Sequence, residues 1–296
     1  MANNPNSRAR AQSKRKHMST GAILAITVLI AIICVAITFL GIYLSGIRYI
    51  KIDTDGGGYI KFFGRVDSLG APSQGRLYYS DGTTAEVDMA TGTVTYSNGD
   101  VYVGELKNLL KHGQGKMTFA TGDVYEGEFK EDTITGKGKF SFSNGDTYEG
   151  DLVDGIKEGY GTYIWGGDGS MYIGEFHNDK KHGKGKYMWA DGSSYEGDYK
   201  DDLKNGYGVY RFSNGDVYEG EFVDDVRSGY GKYTWANGEI YEGEFAGNMM
   251  NGMGKYTWPQ GRVYEGLFEN GKIVRTGQQT GDEEPAQTEN SAGESN

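Results

Sequence analysis

The sequence predicts an all-β repeat fold: an elongated single-layer antiparallel sheet of stacked β-hairpins, preceded by one transmembrane α-helix. A tyrosine recurs at Tyr102, Tyr125, Tyr148, Tyr172, Tyr195, Tyr218, Tyr241 and Tyr264, at intervals of 23 residues with a single 24. Around each one, apolar and charged residues alternate with a period of two, the period of a strand with one buried face. Upstream, Ser19 to Ile47 runs 29 residues without a charge. Composition agrees, since 49 Gly and only 4 Pro accompany 23 Tyr, 12 Phe and 4 Trp, enough aromatic surface to build a packed face.

The first segment, residues 1–18, holds Arg8, Arg10, Lys14, Arg15 and Lys16 with no acid. It reads as a basic cytoplasmic tail. Residues 19–47 follow as the transmembrane helix, because about 20 apolar residues rising 1.5 Å each suffice to cross a bilayer. A buried helix of a soluble protein is a competing reading, but the polar stretch after it offers nothing to pack against. A cleavable signal sequence is the other, yet its apolar core is shorter, and "YLSGIRY" is a poor cleavage site. The excess of positive charge before the span places the N-terminus in the cytoplasm and the repeat domain outside it, in a single-pass membrane protein. Cys34, the only cysteine, falls inside the span, so no disulfide staples the exported part.

Residues 48–101 read as a linker followed by degenerate capping repeats. "GRLYYSDGTTAEV" and "GTVTYSNGDVY" are worn copies of a strand and turn from the array below. A capping role fits the rule that terminal repeats must close an otherwise exposed apolar face.

The array itself, residues 102–270, holds seven units and a partial eighth. In its first strand Tyr125, Gly127 and Phe129 alternate with Glu126 and Glu128. The companion strand carries aromatic pairs: Phe140 and Phe142, Tyr163 and Trp165, Tyr187 and Trp189, Tyr210 and Phe212, Tyr233 and Trp235, Tyr256 and Trp258. Between the two strands, Asn144-Gly145 and its equivalents predict two-residue hairpin closures. A glycine pair such as Gly136/Gly138 or Gly206/Gly208 precedes every companion strand, where it is expected to let the chain return sharply and leave room for a ring. Stacked edge to edge at roughly 4.8 Å per strand, the hairpins predict a sheet on the order of 70 Å long. Residues 271–296 are polar and acidic and read as a disordered tail.

The phrases "YEGEFKEDTITGKGKFSFSNGDTYEG" and "KHGKGKYMWADGSSYEGDY" resemble the MORN repeat (membrane occupation and recognition nexus) from Tyr102 to about Phe268. Phe129, Leu152 and Tyr199 stand where that family frequently has Trp, and His precedes the glycine only at His112 and His182. The resemblance implies a non-catalytic scaffold or protein-interaction module, with self-association through the stacked sheet or a protein partner.

Chemistry finds little support. His112 and His182 occupy equivalent positions three repeats apart, too far for one metal ion. Acids such as Glu126, Glu196 and Glu242 face Lys116, Lys186 and Lys232 in repeated positions, so cross-strand ion pairing explains them better than acid–base catalysis. "HGKGK" fits no phosphate-binding loop. Residues 102–270 hold 18 Lys and Arg against 29 Asp and Glu, which repels nucleic acid and anionic lipid. No catalytic residue, cofactor or metal is expected. The candidate binding groove is the aromatic rim of Tyr163, Trp165, Tyr187, Trp189, Tyr233, Trp235, Tyr256 and Trp258. A protein partner is the first reading for that groove, a carbohydrate or cell-wall polymer the alternative, and a phospholipid-binding membrane tether the third.

Overall fold

The computed structural model describes residues 20–54 and 57–274, which fall into two units divided after Leu109. The expected basic tail and the acidic tail from residue 275 onward lie outside the described residues. The first unit opens with helix α1, Thr20–Leu44, whose apolar stretch Leu24–Leu44 is 21 residues long with its side chains exposed. That length and composition are enough to cross a membrane. The helix stops because Gly46 takes a left-handed conformation at φ 76°, open to glycine without steric cost. Ser45 Oγ donates to the Ile42 carbonyl at 2.7 Å and Arg48 reaches back to that of Tyr43 at 2.8 Å.

Six strands follow: β1 (Ile47–Asp53), β2 (Tyr59–Val66), β3 (Pro72–Tyr79), β4 (Thr84–Asp88), β5 (Thr93–Tyr96) and β6 (Val101–Lys107). Each pairs antiparallel with its chain neighbour. The helix, expected to run to Ile47, ends at Leu44, and the stretch expected as linker from Arg48 is strand, β1 beginning at Ile47. Ile60, Phe62, Leu77, Ala85, Val87 and Val94 project to one face of this meander and are buried there.

The second unit is a ladder of fifteen strands. They are β7 (Leu110–Thr118), β8 (Val124–Lys130), β9 (Thr133–Ser141), β10 (Thr147–Val153), β11 (Ile156–Ile164), β12 (Met171–His177), β13 (Lys180–Met188) and β14 (Ser194–Lys200). After these come β15 (Leu203–Arg211), β16 (Val217–Val223), β17 (Val226–Thr234), β18 (Ile240–Ala246), β19 (Met249–Thr257), β20 (Val263–Glu269) and the short β21 (Lys272–Ile273). Every pairing is antiparallel and between consecutive strands, as the hairpin reading expects.

Two turn types alternate, and they differ from the sequence expectation. The Asn-Gly sites close three-residue loops: Gly145 sits at φ 93°, its N–H donating to the Phe142 carbonyl at 2.9 Å, while Phe142 N–H donates to the Asp146 carbonyl at 2.9 Å. Asn144 is not left-handed; its Oδ1 accepts the Asp146 N–H at 3.0 Å, which favours a type I turn followed by a left-handed glycine over a mirror-image turn. The two-residue closures lie at the other end of the strands, at Glu131-Asp132, Asn178-Asp179, Asp201-Asp202 and Asp224-Asp225, where both residues have positive φ. Asp and Asn are among the few side chains that adopt that conformation at modest cost.

The glycine pairs do not turn the chain. They lie inside the longer strand of each hairpin, where Gly127 faces Gly138 but Phe129 faces Ile134, so β9 carries a bulge. Gly136 occupies the bulge at φ 67°, beneath the Glu128 carboxylate. Gly138 provides the room for a ring that the sequence predicts, since the Tyr125 ring tip lies over it and donates its hydroxyl to the Glu128 carbonyl at 3.1 Å.

The recurrent tyrosines from Tyr125 to Tyr241 are all fully buried. They form one spine with Phe129, Leu152, Phe176, Tyr199, Phe222, Phe245 and Phe268, its rings meeting mostly edge-to-face at centroid distances of 4.9–5.4 Å, in an unbroken series from Tyr148 onward. Such pairs add about 0.5–1.5 kcal/mol each beyond area burial. The predicted ion pairs stand on the opposite, exposed face, as Lys116–Glu126 at 2.7 Å, Lys186–Glu196 at 3.3 Å and Lys232–Glu242 at 3.1 Å.

Candidate functional site

Beside the spine runs a second aromatic row, made by the companion strands. Register places Tyr163 between Tyr148 and Tyr172, and Tyr187 between Tyr172 and Tyr195; Tyr210, Tyr233 and Tyr256 repeat the arrangement. Two residues on from each, a Trp or Phe stands at the mouth of the loop, of four residues after Trp165 and three elsewhere, and turns its ring toward the next repeat.

The result is an unbroken ribbon. Phe140 stacks on Phe142 at 5.4 Å, and Phe142 meets Tyr163 at 6.3 Å. Tyr163 to Trp165 is 4.6 Å, Trp165 to Tyr187 4.9 Å, and Tyr187 to Trp189 4.4 Å. Trp189 to Tyr210 is 5.2 Å, Tyr210 to Phe212 4.4 Å, and Phe212 to Tyr233 5.8 Å. Tyr233 to Trp235, Trp235 to Tyr256 and Tyr256 to Trp258 complete it at 4.5, 5.3 and 4.7 Å. All eight sequence-predicted groove residues lie in this ribbon, joined by Phe140, Phe142, Tyr210 and Phe212. Tyr233 is buried and the other seven are half-buried, so most of them still offer part of a ring face.

Acids in the loops hold the ribbon. Asp146 accepts the Tyr163 hydroxyl at 2.6 Å and the Gly166 N–H at 2.8 Å; Asp216, itself buried, accepts the Tyr233 hydroxyl and the Ala236 N–H, both at 2.8 Å. The Tyr163 bond and then the Gly166 amide hold the Asp146 carboxyl below its ordinary value. These two loops are thereby pinned to the next repeat. The rim of the ribbon is acidic as a consequence, with Asp168 and Asp191 exposed beside it.

Between spine and ribbon lies a row of cations that sequence reasoning missed. Lys181 Nζ sits 5.0–5.9 Å from the ring centroids of Tyr172, Tyr187 and Tyr199, and Lys204 Nζ 5.2–5.9 Å from Trp189, Tyr195, Tyr210 and Phe222. Lys157 and Arg227 occupy the same station. Burial pulls the Lys181 ammonium below its ordinary value, against the raising effect of Asp202. Three lysines of this row meet an acid of the next two-residue turn: Lys111 with Asp132 at 3.5 Å, Lys157 with Asp179 at 3.4 Å, Lys204 with Asp225 at 3.6 Å.

The backbone joins in, since Asp225 N–H donates to the Lys204 carbonyl while the Asp225 carboxylate accepts the Lys204 N–H. Where the cation is replaced by Ile134 or Met250, the turn residue that donates to its carbonyl is Gly155 or Gly271, without a carboxylate. Arg227 meets Asn248 instead. Except at Arg227, charge and neutral partner are thus matched repeat by repeat, a signal present in the sequence at a spacing of 21 or 22 residues.

One corner brings two histidines together. His177 and His182 lie 5.6 Å apart between ring centroids, with Glu158 Oε1 2.8 Å from His177 Nδ1. The turn at Asn178-Asp179 folds the two together, a proximity that alignment by repeat position does not reveal. Among the described residues, no group of three or more His, Cys, Asp or Glu side chains is arranged to hold a metal ion. What the ribbon offers is stacking surface, flanked by hydrogen-bond acceptors.

Comparison with known proteins places this geometry. The family model described as "MORN repeat" matches seven consecutive segments, residues 102–124, 125–147, 148–170, 172–194, 195–217, 218–240 and 241–261. No curated protein matches the chain. Among solved structures, the TCP domain of Drosophila melanogaster SAS-4, in complex with a proline-rich motif of Ana2, is similar at 12% identity and TM-score 0.36, covering 60% of this chain and 88% of that one. A streptogramin B lyase reaches 10% identity and TM-score 0.16, over 76% of this chain and 84% of that one. BamB from Moraxella catarrhalis reaches 11% and 0.15, over 76% and 82%. All three superpositions fall below the level at which two chains share a fold.

Proposed function

Because the chain belongs to the MORN repeat family, matched over more than half its length, we propose that it is a non-catalytic scaffold, held at a membrane by α1, that presents its aromatic ribbon to a protein partner. The ribbon is the observation that carries this reading. Monomeric domains rarely leave a contiguous run of large rings half-exposed unless something covers it, and aromatic rows of this kind are common at interface centres. The acidic loops along the rim select the occupant: a partner segment with apolar side chains for the rings and Lys or Arg for Asp168 and Asp191. In this reading the N-terminus is cytoplasmic and the repeats are extracytoplasmic.

Photocrosslinking in the native membrane tests it. A photoreactive residue at Trp189 or Trp235 is expected to give a discrete protein adduct, and one at Glu196, on the opposite face, none. Absence of adducts from both ribbon positions, or equal labelling from Glu196, overturns the proposal. An adduct that is polysaccharide in place of protein moves the glycan reading ahead of it. Protease accessibility of the C-terminal end in intact cells tests the orientation separately.

A further inference from the structure

The hairpin of β1 and β2 departs from the repeats in charge. It carries Arg48, Lys51, Lys61 and Arg65 against the single described acid Asp53, in a chain whose net charge is -11. Its outer face pairs Tyr49, 60% exposed, directly with Phe63, 48% exposed. Aromatic rings beside Lys and Arg form the side-chain set found where proteins meet lipid headgroups.

Distance decides whether this face reaches the headgroups. The helix ends at Leu44 and β1 begins at Ile47, with the Val66 N–H donating to the Gly46 carbonyl at 3.0 Å, so nothing flexible intervenes. At about 3.3 Å per residue, the Ile47–Arg65 pair stands about 3 Å beyond Gly46 and the Tyr49–Phe63 pair about 10 Å. The headgroup layer extends roughly 5–8 Å past the hydrocarbon. The first row therefore lies within it, and the second stands just past it for an upright strand and inside it for an inclined one. Arg48 bridges the junction, its guanidinium 3.9 Å over the Tyr43 ring.

We infer that the outward face of the β1–β2 hairpin, through Tyr49, Phe63 and Arg65, is a membrane-contact belt seated on anionic headgroups. The inference rests on α1 spanning the bilayer. It differs from lipid binding by the repeats, whose acidic surface opposes it.

Spin labels on the full chain, in a Cys34→Ala background reconstituted into phosphatidylcholine–phosphatidylglycerol vesicles, test the belt. Labels at Tyr49→Cys and Phe63→Cys are expected to show several-fold lower collision with a water-soluble relaxant than a label at Asp81→Cys, in the loop at the far end of β3. Adding Arg65→Glu should raise them toward the Asp81 value. Labels at 49 and 63 as accessible as the one at 81, while a label at Ile33→Cys remains shielded by lipid, overturn the belt and leave the anchor standing. A label at 33 that is equally accessible overturns both.

Discussion

Gly208→Ala measures how tightly the spine is built. Gly208 lies in β15, paired with Gly197 on one side and Gly220 on the other. A methyl group there would meet Tyr195 Cζ at 2.5 Å, with Cε2 and the hydroxyl closer still. The ring has nowhere to go: Tyr195 is fully buried, Tyr199 and Phe222 stand edge-on at 5.2 and 5.1 Å, and its hydroxyl donates to the Asp198 carbonyl at 3.0 Å. Overpacking costs about 1–3 kcal/mol, and a displaced hydroxyl that leaves a buried partner unmatched costs about 1–3 kcal/mol more. The expected loss is about 4 kcal/mol.

Gly192→Ala is the control, at φ 86° with open space around it, where only backbone strain of about 1–2 kcal/mol applies. For a domain of this size each kcal/mol moves Tm by about 2–4 °C, so thermal unfolding of the detergent-solubilised chain should fall by about 10 °C or more for Gly208→Ala and by clearly less for Gly192→Ala. Hydrogen exchange should show the lost protection centred on β14, β15 and β16, because each strand is held only by its neighbours. Equal shifts for the two variants would refute the packing argument.

The matched rungs predict non-additivity: Lys204→Met should cost about 1 kcal/mol, and adding Asp225→Gly should recover part of it by recreating the Met250–Gly271 pair, a coupling below about 0.3 kcal/mol in a denaturant double-mutant cycle counting against the rule. Burial pushes Tyr125, Tyr218 and Tyr241 up to about 12, so the stability they contribute is complete below pH 10 and is lost as pH rises from 10 toward 12; phenolate absorbance should rise cooperatively with unfolding, and early independent ionisation of every tyrosine would contradict this. At the acid end, Asp146 titrates below its ordinary value because of Tyr163 and Gly166; its contribution is present above about pH 4 and lost as pH falls through the folded-state value, so Asp146→Asn should flatten the acid limb of a denaturation-midpoint profile.

Much of this was legible in the chain, and the failures have physical causes. The spacing of the tyrosines and the period-two alternation around them specify the spine, and the doubled aromatics of the companion strand specify the ribbon. The turns were harder. Glu131-Asp132 and Asp224-Asp225 contain no glycine, so the usual mark of a mirror-image turn is missing, although acidic side chains tolerate the same backbone. Asn144-Gly145 carries that mark, but Asn144 bonds to Asp146 and keeps an ordinary φ. The bulge at Gly136 depends on cross-strand register, which no single strand records. Lys204 and its equivalents look like surface charges until the stacking brings rings around them.

Strand pairing only between chain neighbours governs how the molecule is made as well as how it stands. Among the described residues of each unit no strand waits for a distant stretch of polypeptide, so every hairpin can lock onto the growing edge as soon as it emerges from ribosome or translocation channel. Synthesis order and assembly order coincide. An array put together in this way lengthens by duplication of a 23-residue unit without redesign of what came before.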